Sequence, residues 1–230
     1  MNKVIIYGDL ISQPTRAVYW FCLLNNIPHE FKLLSIGKGE NRTSEEYAKV
    51  NPLLKLPGIK HGDVCLGESH TILRYLAEEF KLVNFYNYES LVAKCQVDTY
   101  LDWHHLGLRR WASGYFFQQF IVPNRMQQEP NKEILEFHRN GLVPAFKEIE
   151  RVFLKNGENN FISSKDNPTI ADFSCYSEIK QLDILGYKGI SENFPHIKNW
   201  MRRMESLSSY DQVHKILHSL KNKVSPNSKL

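Results

Sequence analysis

Residues Asn51 to Thr71 read NPLLKLPGIKHGDVCLGESHT, and this stretch decides the fold. Leu54-Lys55-Leu56-Pro57 brings a loop to a proline. Gly58-Ile59-Lys60 and Val64-Cys65-Leu66 flank His61-Gly62-Asp63, turn chemistry that predicts a tight hairpin. Glu68-Ser69 then opens a helix with Leu73, Leu76 and Phe80 at helical spacing, and Ser69 suits its N-cap. Taken locally, this is a loop, a hairpin and a capped helix. The same order also suits a site for a small zwitterion. A helix N-terminus offers N–H donors and a positive dipole end to a carboxylate, and Glu68 can hold an ammonium group beside it. A cis Leu56-Pro57 bond would free the Leu56 backbone to pair with a peptide-like ligand.

Upstream, Val4-Ile5-Ile6-Tyr7 reads as a buried strand. Ser12-Gln13-Pro14 starts a helix, with Ser12 as cap, proline in the first turn, and Ala17, Phe21 and Leu24 on its core face. Glu30 to Leu34 is a second strand, so the connection is a parallel crossover. Ser44 to Val50 adds a short helix before the hairpin. The order βαβ, α, ββα is thioredoxin-like. Downstream of Phe80 the pattern changes: Lys81 to Tyr88 is a linker, and only helices follow. Val97, Leu101, Leu108 and Ala112 mark a long one, and Asn131 to Asn156 another, which Pro144 should bend. Thr169 and Asp172 in NPTIAD form a capping box, and His196 to Leu207 and Tyr210 to Leu220 are two last helices. The expected fold is therefore an N-terminal thioredoxin-like domain (1–82), an all-helical C-terminal domain (89–220) and a polar tail (221–230).

The chain has 230 residues, and 42% of them are hydrophobic, enough for a proper core. A net charge of +4 with dispersed bases argues against a nucleic-acid surface. Cys22, Cys65, Cys95 and Cys175 lie far apart, without disulfide or zinc spacing. No apolar run approaches the ~20 residues of a membrane span, and no secretory signal precedes the first strand. His214 and His218 share a helical face but lack a third ligand in sequence reach, so no metal site is expected.

Together with SQPTRAVYWF at positions 12–21, NPLLKLPGI and ESHTILRYL resemble the glutathione-binding half of the cytosolic glutathione transferases, the theta class in particular. That resemblance implies a homodimeric enzyme that uses glutathione as co-substrate, needs no cofactor, and attacks a hydrophobic electrophile or reduces an organic hydroperoxide. It makes Ser12, in the slot where a thioredoxin carries its thiol, the catalytic residue that donates to the glutathione thiolate; Tyr7 is the rival. It assigns Lys55 and the Leu56 backbone to the tripeptide, and Glu68 and Ser69 to its γ-glutamyl end. A further contact falls on Asn41 or Arg42. The second-substrate pocket is expected on the long helix. Arg109 matches an arginine facing the sulfur and the leaving anion, Asp102 and His105 share its face, and Trp103, Trp111, Phe116 and Phe117 lie nearby. A C-terminal extension closes this pocket in many theta enzymes; the chain has room for little of it, which implies a more open site. The rival class is a non-catalytic ligand carrier or scaffold on the same fold. Finally, Ser228-Lys229-Leu230 matches the tripeptide read by the peroxisomal import receptor, which places the protein in peroxisomes, with the cytoplasm as alternative.

Overall fold

The structure, a computed structural model, describes residues 2–87 and 89–221. The import tripeptide, the rest of the tail after Lys221, and Tyr88 of the linker lie outside the described residues. Strand β1 (Val4–Gly8) leads into helix α1 (Gln13–Leu24), and β2 (His29–Leu33) returns beside β1 in parallel, with Val4 opposite His29 and Gly8 opposite Leu33. Two short helices follow, α2 (Glu40–Thr43) and α3 (Glu45–Val50). The sequence pattern showed only the second, because α2 is a single turn without apolar periodicity. β3 (Gly58–His61) and β4 (Val64–Gly67) form the hairpin, and β3 pairs antiparallel with β1. The sheet order is β2-β1-β3-β4, completed by α4 (Ser69–Glu79).

The helical part begins with α5 (Leu91–His104) and continues without a break through α6 (Arg110–Phe116) and α7 (Val122–Arg125). Two wide π-turns, His105–Arg109 and Phe117–Ile121, join these pieces. The second long helix is α8 (Lys132–Glu148), with Pro144 inside it; it gives way to a π-turn at Ile149–Phe153 and stops short of Asn156. Then come α9 (Ile170–Lys180), α10 (Gly189–Asn193), α11 (Pro195–Glu205) and α12 (Tyr210–Lys221). No described helix is long and apolar enough to cross a membrane.

Helix α9 is buried on every side from Ile170 to Ile179 and is the axle of the molecule. It packs on α1, where Trp20 meets Phe173 and Tyr176 edge-on at 5.2 and 5.4 Å. The start of α9 is fixed by Asp172, a fully buried carboxylate. One oxygen accepts from Ile162 N–H and from the Trp200 indole, both at 2.7 Å. The other accepts from Thr169 N–H at 2.6 Å.

Buried histidines give the fold an acid limit. His214 is fully buried against Trp20, Tyr176 and Tyr210, and burial pushes its pKa down to about 3. Its Nε2 has no hydrogen-bond partner among the described residues. A histidine depressed in the fold takes up protons more readily once unfolded. Stability from this group is therefore full above pH ~6.5 and is lost as pH falls toward 3, by about 2 kcal/mol at pH 5. His70, also pushed down to about 3 by burial, acts in the same direction. Asp172, pushed up to about 6 by burial, opposes them between pH 4 and 6. Thermal unfolding of His214→Phe should therefore show a shallower loss of stability between pH 7.5 and 5 than the parent. An unchanged slope would remove His214 from this account.

Candidate functional site

A cleft of about 670 Å³ lies between the two halves of the chain. Its first wall is the β1–α1 loop. Asp9 anchors that loop, accepting from Ile11 N–H at 3.1 Å and Ile36 N–H at 3.0 Å. From behind, the fully buried Arg16 donates to the carbonyls of Leu10, Ile11 and Ser177 at 2.8, 3.0 and 2.9 Å. Burial lowers its pKa to about 10, so it remains cationic at neutral pH. Ser12 is thereby fixed as the N-cap of α1, facing the cleft. Its Oγ accepts from Thr15 N–H at 3.4 Å, and its hydrogen remains available to an acceptor in the cleft. Pro14 removes one competing donor from this first turn. Tyr7 does not line the cleft: it packs against Tyr47 and donates to Glu46 Oε1 at 2.7 Å.

The second wall comes from the decisive stretch. The Lys55 carbonyl is held by Asn51 Nδ2 at 2.8 Å and by the Tyr47 hydroxyl. The Leu56-Pro57 bond is cis, and the Leu56 N–H and carbonyl have no partner among the described residues. Asn41 and Arg42 both line this wall, and the structure separates them. Asn41 is buried and spends its amide on Leu54 O at 2.7 Å, whereas Arg42 is exposed and has no ion partner among the described residues. At α4 the expected cap is corrected. Glu68, not Ser69, is the N-cap, at φ 59°, and no side chain caps the helix. Ser69 is the first helical residue, so the leading N–H groups of α4 stay unsatisfied beside the cleft.

The third wall is helical. His105, Arg109, Ser113, Phe117 and Ile121 line it at a step of four residues. An α-helix turns in 3.6 residues, so a four-residue stripe would drift off the face; the two wider π-turns hold it in line. This corrects three expectations. Asp102 is exposed and reaches Arg74 at 3.6 Å, outside the cleft. Trp111, two residues from Arg109, packs over Gly141 on α8, where an added Cβ would meet the indole at 2.1 Å. Trp103 bonds Glu148 at 2.7 Å, also away from the cleft. Phe116 does line the site, buried beside Phe120.

The floor comes from α9 and was not visible in the sequence. Glu178, only 1% exposed, accepts from Arg109 NH1 at 2.6 Å on one oxygen. Its other oxygen accepts from Ser113 Oγ and Gln181 Nε2, both at 2.6 Å. Gln181 in turn accepts from Gln13, next to Ser12. One turn before Glu178, Ser174 lines the same floor with a buried hydroxyl that has no partner among the described residues. His70 and His104 are packed ring against ring at 5.0 Å, and burial lowers both pKa values, so they are neutral at physiological pH. No group of described residues is arranged to hold a metal ion. One end of the cleft thus offers uncapped helix N–H groups, a carboxylate and two cations; the other offers aromatic surface around one arginine.

Known proteins match both halves of the chain. Residues 6–83 match the family model of the glutathione S-transferase N-terminal domain, and residues 116–212 match that of the C-terminal domain. Glutathione S-transferase T1 of Arabidopsis thaliana is 32% identical over 96% of this chain and 91% of its own. Human glutathione S-transferase theta-1 is 30% identical over 94% and 90%. The crystal structure of human glutathione transferase theta-2, in complex with glutathione and an unknown ligand, superposes with a TM-score of 0.87 at 30% identity, over 98% of this chain and 95% of that one.

Proposed function

The chain belongs to the glutathione S-transferase family, in its theta class, and from that premise we infer that its cleft binds glutathione and activates the thiol for attack on an electrophile. The protein is a glutathione transferase, with glutathione as co-substrate and no cofactor. One observation carries the assignment of roles: Ser12 Oγ, the open Leu56 backbone and the uncapped start of α4 face a single cleft. The reading places the γ-glutamyl carboxylate on the N–H groups of α4, with Ser69 beside it and Glu68 opposite the ammonium. The cysteinyl residue pairs with Leu56, and the glycine carboxylate lies between Lys55 and Arg42. Ser12 then donates to the thiolate. The thiolate sulfur bonds to the electrophile, whose leaving group departs with its electron pair toward Arg109, on the wall that Phe116 and Phe117 also line.

The test is calorimetric titration with glutathione followed by turnover across halide, epoxide and hydroperoxide substrates. Glutathione binding without turnover on any of them would favour the non-catalytic carrier. Arg42→Ala should raise the KM for glutathione about tenfold with kcat retained, the loss of one charge-assisted contact. Asn41→Ala should instead lower stability, because it frees Leu54.

We also propose hydroperoxide reduction at this site. The thiolate would take the terminal OH group, forming the sulfenic acid and releasing near Arg109 an alkoxide that gains a proton from solvent. A second glutathione would then condense with the sulfenic acid to give glutathione disulfide and water. Ser228-Lys229-Leu230, where it carries the free carboxylate, would deliver the protein to peroxisomes, a compartment suited to that chemistry. An N-terminally tagged protein that stays diffuse, or that is unaffected by deleting the tripeptide, would overturn the address. A homodimer is proposed too: Leu91 and Val92 at the start of α5 and Leu106 just past its end are exposed apolar side chains that a second copy would cover. Sedimentation showing a monomer at micromolar concentration would remove it.

A further inference from the structure

We propose that Glu178 sets the charge preference of the second-substrate end of the cleft, directing the enzyme to electrophiles that enter uncharged and become anionic only as they react. The proposal rests on the transferase reading of the cleft and names the substrate class of that site.

Among the described residues Arg109 is the one cation of the helical wall, and it is not a free charge. Its NH1 is bound at 2.6 Å to a carboxylate that is almost wholly buried. Both Glu178 oxygens are occupied, Oε1 by Ser113 and Gln181 and Oε2 by Arg109. The neighbouring His104 Nε2 lies 4.0 Å from Oε2, and burial keeps that ring neutral, so it adds no compensating charge. Lys180, two residues on, is committed to Asp183 and Glu205 at 2.8 and 3.0 Å and does not line the cleft. Within the cleft lining Arg109 and Glu178 therefore cancel as a pair. The buried Arg16 cation, which is electrostatically coupled to Glu178 and bonds the Ser177 carbonyl, lies behind the floor and outside the lining. An anion entering this end gains little, because the carboxylate behind the guanidinium cancels most of its attraction.

The guanidinium still has donors to give. A guanidinium carries five N–H groups, one of those of Arg109 is used on Glu178, and its side chain is 33% exposed. These groups can bond to a leaving atom as negative charge builds on it, an interaction stronger in the transition state than in the ground state. The pair is also held in register with Ser12, since Glu178 bonds Gln181, and Gln181 bonds Gln13 on the first turn of α1. Glu178 is thus a positioning and selecting residue that acts through Arg109.

The experiment uses two inhibitors of one shape, an arylmethanesulfonate and the neutral arylmethyl methyl sulfone with the same aryl group. Their dissociation constants are measured by equilibrium binding to the glutathione-loaded enzyme. The parent should bind the two within about threefold. In Glu178→Gln the sulfonate should gain about tenfold while the sulfone holds steady. In Arg109→Gln, which leaves the carboxylate without its partner in the cleft, the sulfonate should lose about tenfold relative to the sulfone. A parent enzyme that already prefers the sulfonate tenfold overturns the proposal, whether or not either variant folds. So does an unchanged ratio in a folded Glu178→Gln. Glutathione affinity is read separately by calorimetry, so failure of the transferase reading appears there and not in the ratio.

Discussion

Replacing Ser12 by alanine should leave glutathione bound and cut turnover about 10²-fold or more, the scale of losing one donor aimed at developing negative charge. The expectation follows from how little else Ser12 does. Its Oγ makes a single 3.4 Å contact with Thr15 N–H, so loss of the cap itself costs only about 1 kcal/mol. The loop around it is held by other groups, the Asp9 carboxylate and the Arg16 guanidinium. The proposed tripeptide contacts are on α2, the Lys55-Leu56 segment and α4, which line the cleft apart from the Ser12 hydroxyl. KM for glutathione should therefore hold within about threefold while kcat falls, the signature of an interaction made mainly in the transition state. Undiminished kcat would reduce Ser12 to a helix cap.

The second large effect concerns folding. Asp172→Ala should destabilise the protein by about 3–5 kcal/mol and lower Tm by on the order of 10 °C. The carboxylate is fully buried and accepts from Ile162 N–H, Thr169 N–H and the Trp200 indole. Its loss leaves all three donors without partners at the start of the central helix, and unsatisfied buried groups are costly. Asp172→Asn, which keeps an acceptor, should recover part of the loss. A change below about 1 kcal/mol in the alanine variant would contradict the role given to α9.

The thioredoxin-like half was legible because its signals are local. The His61-Gly62-Asp63 turn, the Leu56-Pro57 proline and the Ser12 cap each act within a few residues of themselves. Two features escaped for identifiable reasons. The cap rule favours serine, but Glu68 takes φ 59°, a conformation no propensity assigns to glutamate, and this moves the helix start by one residue. Regular helical spacing puts Asp102 on the face of Arg109, whereas the π-turns reset the phase and bring Ser113 in. Trp111, near Arg109 only along the chain, turns to Gly141 on α8. The floor was hidden more deeply. Glu178 meets Arg109 across 69 residues, and Arg16 meets Ser177 across 161, contacts that only the packed fold creates. The one sequence hint was a lone carboxylate in the second half of FSCYSEIK, a segment whose other positions up to Ile179 suit a buried helix.

The most direct test of the central claim is the pKa of the glutathione thiol in the binary complex, followed by thiolate absorbance during a pH titration. A free thiol titrates near ~8.5. The account predicts a value at least one unit lower on the parent protein and a return toward the free value in Ser12→Ala. An undepressed thiol on the parent, at saturating glutathione, would contradict it.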